Sequence, residues 1–307
     1  MRVLVTGGAG FIGSHVTDLL VSKEHEIIVL DNLSCGKMEN VNPKAKFVKK
    51  DLTDQNISTE IQNYIKNCDA MFHFAADAHV STSAVEPERT YRNNVTATMN
   101  VLEICRKFDI KNIVFSSTST VYGEPKIIPT PEDHYCQPIS NYGASKLACE
   151  AFLSSYSDSY GIKATILRYA NIFGERSLRG LIYDVYKKIK KDSKRVELLG
   201  NGKQEKSYMY IKDCVSATIL AWEKQNKNFD VFNVGSEKKL SVDEVADKIC
   251  SNMKLSPEFT YTGSDRGWTG DVRKMQLDVK KIKSLGWKEE IGFNRGLDLY
   301  LDWIRKS

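Results

Sequence analysis

The chain has 307 residues, 41% hydrophobic and 27% charged, which predicts a globular protein of one large or two closely packed domains. Its net charge of +5 is mild, and no basic stripe is interleaved with aromatics, so a nucleic-acid partner is not expected. No apolar run approaches the ~18 residues of a membrane span, and seven cysteines without a CxxC pair argue against a disulfide framework or a zinc site and for a reducing cytoplasm.

Residues 3–6 form a short apolar run leading into a glycine turn. No cleaved leader is expected there, since its removal would take that strand away. Residues 11–22 have helical spacing. Residues 27–30 read as a second strand ending at Asp31, and 46–48 as a third ending near Asp51. A fourth covers 71–74, followed by Ala75-Ala76. One long helix is expected over 87–108, with Pro87 in its first turn. Residues 112–116 are a fifth strand. A second long helix runs over 142–160, stopped by Gly161, and 163–167 is a sixth strand.

These strands are continuously apolar rather than alternating, which predicts a sheet covered on both faces. Repeated strand–helix units make parallel pairing the default. The expected fold is α/β, a doubly wound parallel sheet of Rossmann type with a smaller α/β substrate-binding domain. In the second half, helices are expected over Leu181–Lys191, 211–225, 241–253, 278–285 and 294–304, and strands over 195–199 and 231–234. Ser241 and Glu244 have the spacing of a capping box.

Thr6-Gly7-Gly8-Ala9-Gly10-Phe11-Ile12-Gly13 carries glycine at 7, 10 and 13. Such a turn lets the backbone approach a pyrophosphate, and the helix that follows offers free N–H groups to the phosphates. Glycine serves any tight turn, but here a strand precedes it, a helix follows, and Asp31 ends the next strand. A carboxylate at that place accepts hydrogen bonds from the adenine ribose and repels a 2′-phosphate, which favours NAD over NADP. Asp51-Leu52 falls where the adenine would lie.

Tyr142 and Lys146 stand at i and i+4 on a helix, sharing one face. An ammonium near a phenol favours the phenolate and lowers its pKa from ~10 toward working pH. The tyrosine then serves as a general base toward a hydroxyl. YxxxK alone is a common surface coincidence. Ser116-Ser117-Thr118, at the end of the fifth strand, supplies a hydroxyl able to bridge substrate and tyrosine, and the three features together point to a dehydrogenase-type site.

As a set these motifs resemble the extended short-chain dehydrogenase/reductase family, and within it the nucleotide-sugar epimerases related to UDP-glucose 4-epimerase. The resemblance covers essentially the whole chain. It rests on the glycine turn, Asp31-Asn32-Leu33, His73-Phe74-Ala75-Ala76, Asn94, Ser116 through Gly123, Tyr142 through Lys146, and Leu167-Arg168-Tyr169-Ala170-Asn171. It implies an NAD site built from Gly7, Gly10, Phe11, Ile12, Gly13, Asp31, Asn32, Ser34, Gly36, Asp51, Leu52, Phe74, Ala75, Ala76, Asn94, Ser116, Tyr142, Lys146 and Tyr169. It implies that Tyr142 takes the proton of a sugar 4-hydroxyl while NAD takes the C4 hydride. The keto sugar then turns over and receives hydride on its other face, assisted by Thr118 and Lys146. Asn171 matches the residue that binds the nucleotide diphosphate.

For the substrate, usually a UDP-hexose, the resemblance further points to Arg176, Leu199, Lys206, Tyr208, Arg266 and Asp271. Relatives often read Arg-Asp where this chain has Lys206-Ser207, so part of the phosphate recognition is expected to move to Arg266, ahead of Gly267-Trp268-Thr269-Gly270-Asp271. Arg176 and Arg179 face either the sugar nucleotide or solvent. Met275 falls where relatives gate the size of the sugar's 2-substituent. Related 4,6-dehydratases carry Asp-Glu where this chain has Ser119-Thr120, and UDP-xylose-forming decarboxylases have Glu at Thr120, so epimerisation is the expected activity. The alternatives are another nucleotide-sugar oxidoreductase or epimerase, or an NAD-sensing protein without catalysis. The expected domains are 1–170 for NAD, with 207–236 returning to it, and 171–307 for the nucleotide sugar. A homodimer through the two long helices is the family expectation.

Overall fold

The computed structural model describes residues 1–268 and 270–306; Thr269 and Ser307 lie outside them. Seven strands form one parallel sheet: β1 (Arg2–Thr6), β2 (Glu26–Asp31), β3 (Lys46–Lys49), β4 (Ala70–His73), β5 (Asn112–Thr118), β6 (Lys163–Tyr169) and β10 (Phe229–Val234). Their order is β10-β6-β5-β4-β1-β2-β3. The chain thus starts inside the sheet, builds outward one way through β2 and β3, and then returns to build outward the other way. The reversal beside β1 opens a crevice at the carboxyl ends of the strands, where ligands of such sheets bind.

The unalternating strands have a direct explanation. Successive side chains point to opposite faces, and both faces are buried. Val3, Val5, Val29, Phe72 and Val114 join Val16 and Leu20 of the helix Phe11–Ser22 in one core. Leu4, Ile28, Met71, Ile113 and Phe115 join Val101, Leu102 and Leu153 in the other.

The helix expected over 87–108 has three parts: Pro87–Thr90, a π-helical stretch Tyr91–Thr96, and Ala97–Lys107. The widened π turn carries Asn94, and such turns recur where a helix must re-aim groups at a site. The helix Asn141–Tyr160 starts on Ser140, whose hydroxyl accepts from the Gly143 N–H at 3.1 Å, and ends at Gly161 in the left-handed conformation.

The smaller part centres on β9 (Glu205–Tyr210), which pairs in parallel with β7 (Asn171–Phe173) and β13 (Lys274–Met275) and antiparallel with β11 (Lys239–Ser241). A second pair joins β8 (Arg195–Leu198) to β12 (Glu258–Tyr261). The stretch 207–236 therefore divides. Residues 205–210 belong to the smaller sheet, and the return to the large one begins with the helix Ile211–Lys224 and ends in β10. Ser241 and Glu244 form the expected capping box. Asp213 accepts from the N–H groups of Glu290, Ile291 and Gly292, fixing the start of the last helix, Gly292–Lys306.

Candidate active site

The glycine turn sits against the loop after β4. Gly7 has φ +70°, and a Cβ there would stand 2.5 Å from the Ala75 nitrogen; a Cβ on Gly13 would stand 2.3 Å from the Gly7 oxygen. Only glycine permits this closeness, which stacks the turn on the Phe74-Ala75-Ala76 segment. The helix Phe11–Ser22 begins at Gly10 with no side-chain cap and no acidic residue in its first turn. Its leading N–H groups, around Phe11 and Ile12, are left for an anion. The turn and the uncapped helix start together present main-chain N–H groups of the kind a pyrophosphate needs.

At the end of β2, the Asp31 carboxylate accepts from Ala9 N–H at 3.0 Å and Leu33 N–H at 2.8 Å. Burial pushes its pKa up, and these two hydrogen bonds oppose the rise. The following turn is tied inward: Asn32 accepts from Ser34 N–H and donates to Asp51, while Gly36 packs on Ala9. Leu52 is buried, and its carbonyl accepts from Asn100. Two expected cofactor residues turn inward instead. Asn94 accepts from Asp77 N–H at 2.7 Å and donates to Asp77 O and Ser145 Oγ, so it braces the loop after β4. The Tyr169 hydroxyl is bonded to Thr218 at 2.8 Å inside the core.

Tyr142 and Lys146 meet the end of β5. The Tyr142 phenol lies beside Thr118, whose hydroxyl favours the phenolate, and Lys146 Nζ donates to Ser116 O at 2.7 Å. Both side chains are buried. The expected lowering of the Tyr142 pKa by Lys146 is not what this structure gives. Burial pushes the phenol up to about 12, opposed by the charge of Arg179 and the Thr118 hydrogen bond. Burial also depresses Lys146 to about 8. Both groups lose water, and the ammonium is directed at the main chain of β5. The three side chains expected to act together are thus gathered at the end of β5.

One turn further on, Glu150 continues the stripe of Tyr142 and Lys146. Its carboxylate accepts from Ser117 and from Arg168, whose Nη2 lies 2.7 Å away. Arg168 also donates to the Tyr122 hydroxyl, which donates to Asn233 on β10. This buried network locks β5, β6, β10 and the helix Asn141–Tyr160 together. The i, i+4, i+8 spacing of residues 142, 146 and 150 is a signal that could have found Glu150 from the sequence.

A pocket opens beside Ser119 and Thr120. Asn171, Lys206, Asp271 and Met275 line it together with Val80, Ser119, Thr120, Trp268, Gly270 and Val272. Lys206 is paired with Asp271 and lies 5.1 Å from the centre of the Trp268 ring. Asp271 also accepts from Gly267 N–H at 3.0 Å. Arg266 donates to Asp271 O and pairs with Glu124 at 3.1 Å. Leu199 is exposed at the rim, next to Gly267. Tyr208 is buried in a T-shaped contact with Phe293, is paired in register with Asn171 and lies within charge range of Asp271.

Of the two uncertain arginines, Arg176 is not at the pocket; its guanidinium pairs with Asp18 on the helix Phe11–Ser22 at 2.8 Å. Arg179 instead lies within charge range of Tyr142 and contacts His79.

An uncapped glycine-turn helix, an acidic strand end and a buried tyrosine–lysine–threonine trio define a dinucleotide-dependent enzyme acting on a carbinol. The model of the NAD dependent epimerase/dehydratase family matches residues 3–235, and the chain belongs to that family. It is 34% identical to the UDP-glucose 4-epimerase of Lactobacillus helveticus, over 94% of this chain and 92% of that one. Among solved structures, it superposes on a UDP-galactose 4-epimerase with a TM-score of 0.90 at 39% identity, covering 100% of this chain and 99% of that one. It superposes on the UDP-glucose 4-epimerase of Thermotoga maritima, solved with UDP-glucose, with a TM-score of 0.93 at 36% identity and the same coverage.

Proposed function

We propose that the protein interconverts UDP-glucose and UDP-galactose at C4, keeping its NAD through the cycle. The observation that carries this reading is the chemistry around Thr118 and Tyr142. The pocket beside them is lined by the hydroxyls of Ser119 and Thr120, with no acid free to expel water. Ser119 and Thr120 occupy the positions next to Thr118, and among the described residues lining the pocket the one carboxylate, Asp271, is spent on Lys206 and Gly267. Epimerisation requires only a base, a hydride acceptor and room for the sugar to turn.

The residues divide the work as follows. Gly7, Gly10 and Gly13 leave room for the pyrophosphate, the first turn of the following helix binds it, and Asp31 holds the adenine ribose. When bound, NAD supplies the hydride acceptor and donor and brings the positive charge of its oxidised ring into the site. Tyr142, oriented by Thr118, takes the proton of the 4-hydroxyl and later returns it. Lys146 holds the helix at its distance from β5. Asn171, Lys206 and Arg266 bind the diphosphate, Lys206 while it stays paired with Asp271 and Arg266 by exchanging Glu124 for phosphate oxygens. The Met275 side chain sets the width available to the sugar's 2-substituent.

Two further readings accompany this one. All seven cysteines are free, in keeping with work in the cytoplasm. Tyr91, Phe152 and Tyr160 stand exposed on the two long helical stretches, in keeping with a homodimer formed there; light scattering on the eluting peak tests it.

The test of function is incubation with UDP-glucose and UDP-galactose without added NAD, with products resolved by chromatography. Conversion in both directions to the same mixture is expected. No conversion, with or without NAD, overturns the assignment.

A further inference from the structure

The pocket takes its lining from separate segments. Ser119 and Thr120 come from the short turn Ser119–Tyr122 that follows β5, and Met275 comes from β13. Both segments are tied to one side chain, Asn233 on β10, which is fully buried. Asn233 Oδ1 accepts from the Tyr122 hydroxyl at 2.8 Å, at the end of the first segment. Asn233 Nδ2 donates to Thr130 O at 2.9 Å and to Asp278 O at 3.2 Å. Thr130 in turn clasps the stretch that follows Met275: its N–H donates to Gln276 O at 2.8 Å, and its O accepts from Asp278 N–H at 2.8 Å. The main-chain N–H of Asn233 donates to Glu132 Oε1 at 2.9 Å.

Donor and acceptor chemistry requires an amide at this place. Thr130 O and Asp278 O only accept, so they need the two protons of an NH2 group. The Tyr122 hydroxyl already accepts from Arg168 Nη1 at 2.8 Å, and arginine has only donors, so the phenol's own proton goes to Asn233 Oδ1. The oxygen and both protons of the amide are thus used, and a carboxylate of the same size would face two carbonyl oxygens. We propose that Asn233 is a positioning residue for sugar selectivity: by joining Tyr122 to residues 276–278, it sets the separation of the Ser119–Thr120 and Met275 sides of the pocket, and thereby the room left for the sugar's 2-substituent. Being fully buried, it acts through those two segments alone. The role rests on the reading of this pocket as the place of the sugar.

The experiment measures the affinity of the NAD-loaded protein for UDP-glucose and for UDP-N-acetylglucosamine by calorimetry, together with kcat/KM for each. Losing the tie lets the two sides part, so N233A should raise the ratio of UDP-N-acetylglucosamine to UDP-glucose binding about tenfold, the scale of one methylene in an apolar pocket. Y122F cuts the tie on one side only and should move the ratio in the same direction by less; it carries the test if N233A does not fold. N233A should add little in the M275A background, because both changes act on one dimension of the pocket. Purely structural damage would weaken both sugar nucleotides alike. A ratio unmoved in folded N233A or, where that variant does not fold, in Y122F overturns the proposal, as does full additivity with M275A. Binding needs no turnover. A parent that binds the sugar nucleotides without interconverting any leaves this role standing and removes the assigned reaction; a parent that binds neither overturns both.

Discussion

The Lys146 ammonium donates to the main-chain oxygen of Ser116 at 2.7 Å, joining the catalytic helix to the strand that carries Thr118. The separation of Tyr142 and Thr118 is therefore set by the packing of a helix on a sheet. A charge buried for this purpose has a thermodynamic signature. With its pKa depressed to about 8 from 10.5, the folded protein binds fewer protons than the unfolded chain between those values. Stability from this group must then rise as pH climbs through the window, by at most about 3 kcal/mol. Urea melts at pH 7.5 and 10 should show the rise in the parent and lose it in K146M, which should also lose at least about a hundredfold in kcat.

Removing the phenol oxygen separates chemistry from architecture. Y142F should lose about 10²- to 10⁴-fold in kcat. It should keep its melting temperature and its NAD, because a phenyl ring of the same shape fills the same buried place. Thermal melts and the absorbance of the purified protein check the second half.

The Asp31 carboxylate is engaged by two main-chain N–H groups and has its pKa raised by burial. NAD retention should accordingly fall on acidification at a pH above the usual carboxylate midpoint. D31N should weaken NAD about 10- to 100-fold, as expected for losing a charged hydrogen-bond acceptor. Equilibrium dialysis across pH measures both.

Arg168 and Glu150 form a buried pair, and Arg168→Leu would leave the carboxylate without its counter-charge. The expected cost is about 3–5 kcal/mol in denaturant melts. The double variant R168L/E150L should recover a large part of it, since neither charge is then stranded.

Met275 is buried and lines the pocket along with Ser119 and Thr120. Met275→Ala should raise kcat/KM for UDP-N-acetylglucosamine relative to UDP-glucose by about tenfold or more, the scale of a few methylenes in an apolar pocket. An unchanged ratio would remove Met275 as the residue that sets pocket width.

The large sheet was legible because its strands are short apolar runs at regular spacing, and the glycine turn, Asp31, Tyr142 and Lys146 because each has a fixed offset from such a run. β9, with the sequence Glu-Lys-Ser-Tyr-Met-Tyr, has no apolar run to give it away. Nor did β7, β11 or β13, each two or three residues long. The π turn around Asn94 escaped because its residues keep ordinary helical patterning. Asp77, His79 and Arg179 were missed as a unit because their meeting depends on tertiary placement, with 100 positions between the last two. The contact of Lys146 with Ser116 O was hidden for the same reason: helical spacing says that two groups share a face, not where the longer one ends.

The edge strand β10 has a consequence for how the protein is made. β6 pairs on its outer side with residues 229–234, which leave the ribosome only after the whole of β7, β8 and β9 has been synthesised. Throughout that interval the newborn sheet ends at an unpaired β6, a row of open main-chain groups able to recruit a strand from a neighbouring chain. The time of greatest danger for this enzyme therefore falls late in translation, and a polypeptide released near Ala170 would carry a nearly complete nucleotide cradle on an unfinished and adhesive sheet.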